Sequence, residues 1–177
     1  MYRLIYFSEP GRAEAIRIIL DISELPWENI TVDFNGYSEL RESKKLPWGL
    51  LPVLETPLGR LSESSSILRY LGKMTDYYPS DAWSEAKVDE CLDAISDMSN
   101  ILVATFSIND LEEKIAARKV LSAPDGKLSN CYDLFCEKLQ NSKTGWIAET
   151  EQPSIADIRL FSDCFEVVSG NYDCIDP

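Results

Sequence analysis

Residues 50–71, LLPVLETPLGRLSESSSILRYL, constrain the fold more than any other stretch of this chain, because they read as strand, turn, strand and then helix. Pro52 stands between Leu51 and Val53, where it removes the donor that a central strand needs. Either this strand is an edge or Pro52 has a special peptide geometry, and both alternatives leave a backbone edge free. Thr56, Pro57, Leu58 and Gly59 carry turn chemistry. Ser64 is a candidate cap for a helix whose apolar positions Ile67, Tyr70 and Leu71 keep helical spacing. The amides at such a helix start favour a carboxylate.

The segments before this stretch complete a small α/β unit. Residues 2–7, YRLIYF, are aromatic and branched and read as a strand, which Ser8, Glu9, Pro10 and Gly11 end. Ala13, Ile16, Ile19 and Leu20 predict a helix over about 12–21, and residues 27–32 return to strand character. Residues 33–49 read as irregular. The order is therefore β-α-β followed by β-β-α up to about residue 73. After residues 76–80, DYYPS, no run has convincing strand character, so the domain boundary is placed there. Helices are expected over roughly 84–105, 110–121, 128–141 and 155–169. Ser154 and Asp157 form a capping-box pattern before the last of these, whose expected role is folding rather than chemistry.

Composition removes whole classes of function. The formal charge of −13, with 30 acidic against 17 basic residues, argues against binding a nucleic-acid backbone. No apolar run reaches the roughly 18 residues of a membrane span, and the first ten residues lack the pattern of a signal peptide, so the expected location is cytoplasmic. Cys91, Cys131, Cys136, Cys164 and Cys174 are odd in number with no CxxC pair, as expected of reduced thiols. The chain has no histidine, which excludes His-based metal sites and Ser-His-Asp or Cys-His nucleophiles; no metal site is expected.

A few residues are candidates for chemistry. Alternation puts Leu4, Tyr6 and Ser8 on one side of the first strand and Arg3, Ile5 and Phe7 on the other, so Tyr6 and Ser8 compete as hydroxyl donors to an anion at the helix start. A strand tyrosine ordinarily serves packing, with its hydroxyl at the rim. Arg12 either makes a surface ion pair with Glu9 or Glu14 or organises an active-site anion. Glu63 is either an ordinary first-turn acid or the receiver of a substrate ammonium, and with Ser64 it offers opposite charge to the two ends of an amino-acid zwitterion.

Tyr6-Phe7, then Gly11-Arg12-Ala13-Glu14, Leu51-Pro52-Val53-Leu54, Glu63-Ser64 and Ile67-Leu68-Arg69-Tyr70-Leu71, fall in the order and spacing of the cytosolic glutathione S-transferases. The chain resembles their tyrosine-type classes, sigma most of all, with mu and pi related. The resemblance implies an α/β thioredoxin-like N-terminal domain over 1–75, an all-helical C-terminal domain over 82–177, and a homodimer. It implies glutathione as cosubstrate with no bound cofactor, and a hydrophobic electrophile as its partner in the reaction. By the same resemblance Tyr6 and Arg12 are catalytic, Leu51 beside a cis Pro52 pairs with the cysteinyl unit, and Glu63 and Ser64 hold the γ-glutamyl end. Tyr37 with Arg41, Lys44 or Lys45 holds the glycine carboxylate, and Asp97 reaches across the dimer. Leu50 departs from the family, which often has Lys or Gln there. Phe7, Ser8, Met98, Leu102 and Thr105 are the expected lining of the second-substrate site. By the same resemblance Pro177 comes several helical turns before the usual end, so either the sequence is truncated or that site is more open. A non-catalytic relative, such as a lens crystallin or a translation-factor subunit of this fold, is the alternative, and a thioredoxin-type reductase is excluded by the missing N-terminal cysteine.

Overall fold

The computed structural model describes residues 1–170 and Tyr172, so the sequence readings at Cys174 and Pro177 lie outside the described residues. The chain divides into two compact units, Met1–Tyr78 and Pro79–Pro177.

The first unit is a four-stranded mixed sheet. Strands β1 (Tyr2–Tyr6), β2 (Trp27–Thr31), β3 (Val53–Thr56) and β4 (Gly59–Ser62) lie in the order β2-β1-β3-β4. β1 runs parallel to β2, with Tyr2 opposite Trp27, and antiparallel to β3, with Leu4 opposite Leu54. The parallel pair requires a crossover, supplied by α1 (Glu14–Ile22), which follows a short 3-10 turn at Gly11–Ala13. Leu4 and Leu54 are completely buried, as are Ile16, Ile19 and Leu20 of α1 and Ile67, Leu68 and Leu71 of α3 (Ser64–Met74). Full burial of each such side chain contributes about 1.5–3 kcal/mol, which is what sets these helices on the sheet. On the other face Ile5, Leu46 and Val53 form a second cluster joined by Ile30, Val32, Tyr37, Leu40 and Leu51. Along the rows, Glu28, Arg3, Glu55 and Arg60 form a ladder of ion pairs at 3.1, 3.0 and 2.7 Å that crosses all four strands.

One open alternative is decided here, in favour of the special peptide geometry at Pro52, and two expectations are corrected. β3 is flanked by β1 and β4, so it is an interior strand and not an edge; the Leu51–Pro52 bond is cis, and Pro52 precedes the first ladder residue, so no ladder donor is lost. The stretch read as irregular contains α2 (Phe34–Glu42), started by Asp33, whose side chain accepts from the Gly36 N–H at 2.8 Å. Its fully buried positions are none, which is why its apolar pattern was weak. Ser64 is the first residue of α3 rather than its cap; Glu63 occupies the cap position with φ +68° and makes no side-chain capping bond.

The second unit is helical throughout its described residues. α4 (Ala82–Val103) is capped by Asp81 and carries a buried stripe of Val88, Cys91, Leu92, Ile95, Met98 and Leu102. α5 (Leu111–Ser122), α6 (Lys127–Asn141) and α7 (Ile155–Val168) follow. The capping box before α7 is formed, and Asp157 accepts from the N–H and hydroxyl of Ser154 at 2.9 Å and from the Ile147 N–H at 2.8 Å. On α7, Arg159 and Asp163 are a buried pair 3.1 Å apart, and Ser99 of α4 donates to Asp163.

Candidate active site

The end of β1 and the start of α3 frame the site, both in the first unit. β1 ends on Tyr6, half-buried, and a turn leads to Gly11, whose φ of +46° lies in the left-handed region. A Cβ at Gly11 would stand 2.7 Å from the Tyr6 hydroxyl oxygen, so only glycine fits there. The next residue closes the turn: the Arg12 N–H donates to that oxygen at 3.2 Å. Arg12 thus meets Tyr6 through its backbone. Its residue also lines a cleft of about 260 Å³ with Leu50, Leu51, Pro52, Glu63 and Ser64.

The amides that open α3 face no intrahelical acceptor, because the first helical bond runs from the Ile67 N–H to the Glu63 carbonyl at 2.9 Å. The cleft is therefore lined by Ser64, which opens α3, by Glu63 and Arg12, residues of opposite charge, and by Leu51 and Pro52 of the cis bond. A groove of about 530 Å³ in the second unit, lined by Glu90, Cys91, Ala94, Cys131, Leu134, Phe135 and Lys138, is larger but nearly all apolar. Polar chemistry, not size, singles out the smaller cleft.

The other candidate residues fall in several places. The Tyr37 hydroxyl donates to the Gly49 carbonyl at 3.0 Å, so it holds the backbone that leads into Leu50 and Leu51. Arg41, in the last turn of α2, brings Nε to 4.0 Å from where a Gly49 Cβ would be. Lys45 is exposed, and its carbonyl accepts from Arg60 at 2.9 Å. Lys44 has φ +55°. Asp97 is exposed on α4.

The residues expected to line the second-substrate site differ in their exposure. Phe7 packs in an aromatic cluster, its ring 5.3 Å from Phe34, 5.7 Å from Tyr37 and 5.4 Å from Tyr6, while Ser8 is exposed on the turn. Met98, Leu102 and Thr105 are only 2%, 4% and 3% exposed, because α4 and the turn after it direct them into the interior. The Thr105 hydroxyl is further committed, donating to the Leu102 carbonyl at 2.7 Å and accepting from Arg118 at 3.1 Å. They present little surface to any ligand.

Sequence reasoning missed Arg17. Its guanidinium lies 5.8 Å from the centre of the Tyr6 ring and donates to backbone carbonyls of the turn after β1. Spacing finds only its pair with Glu14, three residues before it; the carbonyls it holds are main-chain atoms that no side-chain pattern marks. Burial pushes the Cys91 thiol up, and burial with the nearby Asp163 charge pushes the half-buried Cys164 up to about 11, which disfavours the nucleophilic thiolate at both. No helix among the described residues is long and apolar enough to cross a membrane.

A mixed four-stranded sheet with a cis proline leading into β3, followed by a helical unit, is the thioredoxin-like two-domain architecture. Residues 2–73 match the family described as glutathione S-transferase, N-terminal domain. It is 31% identical to rat (Rattus norvegicus) hematopoietic prostaglandin D synthase over 113 residues, which is 64% of this chain and 56% of that protein. It is 32% identical to glutathione S-transferase 4 of Caenorhabditis elegans over 96 residues, covering 54% of this chain and 45% of that protein. The chain thus spans about half the length of the curated relatives it matches. The structure of prostaglandin synthase D of Nilaparvata lugens has the same fold, with a TM-score of 0.84 at 24% identity over 96% of this chain and 84% of that one.

Proposed function

We propose that this protein is a glutathione transferase that stabilises the thiolate of bound glutathione and joins it to a hydrophobic electrophile. The observation that carries this reading is the Arg12 N–H bond to the Tyr6 hydroxyl at 3.2 Å, beside the cleft of Leu51, Pro52, Glu63 and Ser64. An oxygen that accepts from the backbone donates its own proton more strongly. In this reading Tyr6 donates to the glutathione sulfur, the Leu51 backbone pairs with the cysteinyl unit, Glu63 takes the γ-glutamyl ammonium, and Ser64 with the α3 amides takes its carboxylate. Arg41 is the better supported partner for the glycine carboxylate, because its Nε approaches Gly49.

The energetics are sufficient. A free thiol has a pKa near 8.5, and lowering it by two units requires about 2.7 kcal/mol of preference for the thiolate. One charge-assisted hydrogen bond contributes about 1.5–3 kcal/mol. The thiol proton leaves to solvent, the sulfur forms a bond to carbon, and the leaving group departs with its electron pair. Isomerisation or peroxide reduction through the same thiolate are side activities of this scheme. A cytoplasmic homodimer with a role in detoxification, in which Asp97 contacts the partner's glutathione, completes the proposal.

The test is retention on immobilised glutathione followed by turnover of an aryl halide. Tyr6→Phe is expected to keep glutathione affinity and lose most of the rate. Equal rates for the two proteins would remove Tyr6 from the mechanism, and binding without turnover would favour the non-catalytic relative.

A further inference from the structure

Arg17 ties three backbone carbonyls and two side chains together around the turn after β1. Nη1 donates to the carbonyls of Glu9 at 3.3 Å and Pro10 at 3.2 Å and pairs with Glu14 at 2.8 Å. Nη2 donates to the Phe7 carbonyl at 3.0 Å, and Nε approaches Asn29 Oδ1 at 3.4 Å. The side chain is 13% exposed, so these bonds are shielded from water. All three carbonyls belong to the turn that joins Tyr6 to Gly11. The course of that turn decides how close the Arg12 N–H comes to the Tyr6 oxygen. The same guanidinium lies 5.8 Å from the Tyr6 ring centre, within reach of a cation–π attraction.

We propose that Arg17 is a positioning residue for thiol activation: its planar fork holds the turn after β1 so that Gly11 and the Arg12 N–H are set against Tyr6. The inference rests on the reading of Tyr6 as the group that serves the glutathione sulfur. A fork with five donors in fixed directions spans three carbonyls and a carboxylate; the ammonium of lysine keeps the charge but not those directions. The residues proposed to hold glutathione, Leu51, Glu63 and Ser64, belong to other segments than Arg17 and the turn it holds. Its loss is therefore expected to act on rate rather than on affinity.

The experiment compares wild type with Arg17→Lys by two readings. The first is hydrogen exchange of the Arg12 amide by NMR, without ligand, expected to quicken by about tenfold as its bond to Tyr6 loosens. The second is steady-state kinetics with an aryl halide across pH. There kcat is expected to fall by about tenfold with KM for glutathione within about twofold, and the kcat profile to move about one unit alkaline. A merely structural arginine would lower thermal stability without moving the pH profile. Arg17→Gln carries the same readings should the lysine variant fail to fold. Unchanged exchange at Arg12 overturns the proposal, and so does faster exchange with kcat and pH profile intact. A wild-type protein without turnover overturns the catalytic reading of Tyr6 alone, and the exchange comparison still decides whether Arg17 holds the turn.

Discussion

Gly11 and Tyr6 occupy adjoining space so closely that a methyl group on the first would sit 2.7 Å from the hydroxyl oxygen and 3.2 Å from Cε1 of the second. Gly11→Ala must therefore displace the phenol, and alanine also resists the φ of +46°. We expect a stability loss of about 1–2 kcal/mol by urea unfolding. The drop in kcat should exceed tenfold, roughly, since the displaced group is the proposed donor. Activity within twofold of wild type would separate Tyr6 from the chemistry.

Glu63 sits at φ +68°, a conformation that costs a non-glycine residue about 1–2 kcal/mol. Glu63→Gly relieves this but frees the unfolded chain, so stability is expected to change by less than about 1 kcal/mol. Affinity for glutathione, measured by calorimetry, should fall by about tenfold or more as the ammonium loses its carboxylate. An acid that served only the helix dipole would show no affinity change.

Asp157 accepts three hydrogen bonds at 2.8–2.9 Å and ties the segment at Ile147 to the start of α7. Its replacement by alanine leaves two backbone donors without that partner and removes the cap. The expected loss is about 3 kcal/mol in denaturant unfolding, more than an ordinary cap gives. A loss below about 1 kcal/mol would show that water replaces the carboxylate at no cost.

Cys164 predicts a pH dependence. Burial first, and then the Asp163 charge, raise its pKa from 9.0 to about 11 in the folded protein. The folded state thus retains a proton that the unfolded state releases. Its contribution to stability is complete below the unfolded value and is lost as pH rises toward 11. Unfolding free energy should decline between pH 9 and 11, and Cys164→Ala should flatten that decline. The thiol should also react with an aromatic disulfide more slowly than the exposed Cys136 at pH 8.

Local pattern determined much of this protein. The aromatic and branched residues of 2–7 and the helical spacing of Ala13, Ile16, Ile19 and Leu20 place β1 and α1, because a buried strand is made of such residues and a helix that buries one face records it in its spacing. The capping box at Ser154 and Asp157 was equally legible, since a cap is a contact between near neighbours in the chain. Tertiary structure decided the rest. α2 has too little apolar content to be seen in sequence; it forms on its Asp33 cap and on the contact of Tyr37 and Leu40 with the Ile5, Leu46 and Val53 cluster. The inward turn of Met98, Leu102 and Thr105 reflects how α4 and the turn after it are packed, which spacing alone does not assign to pocket or core. Arg17 was invisible for a different reason: a guanidinium that binds main-chain carbonyls needs no particular side chain as its partner, so only the folded turn from Phe7 to Gly11 brings its acceptors together.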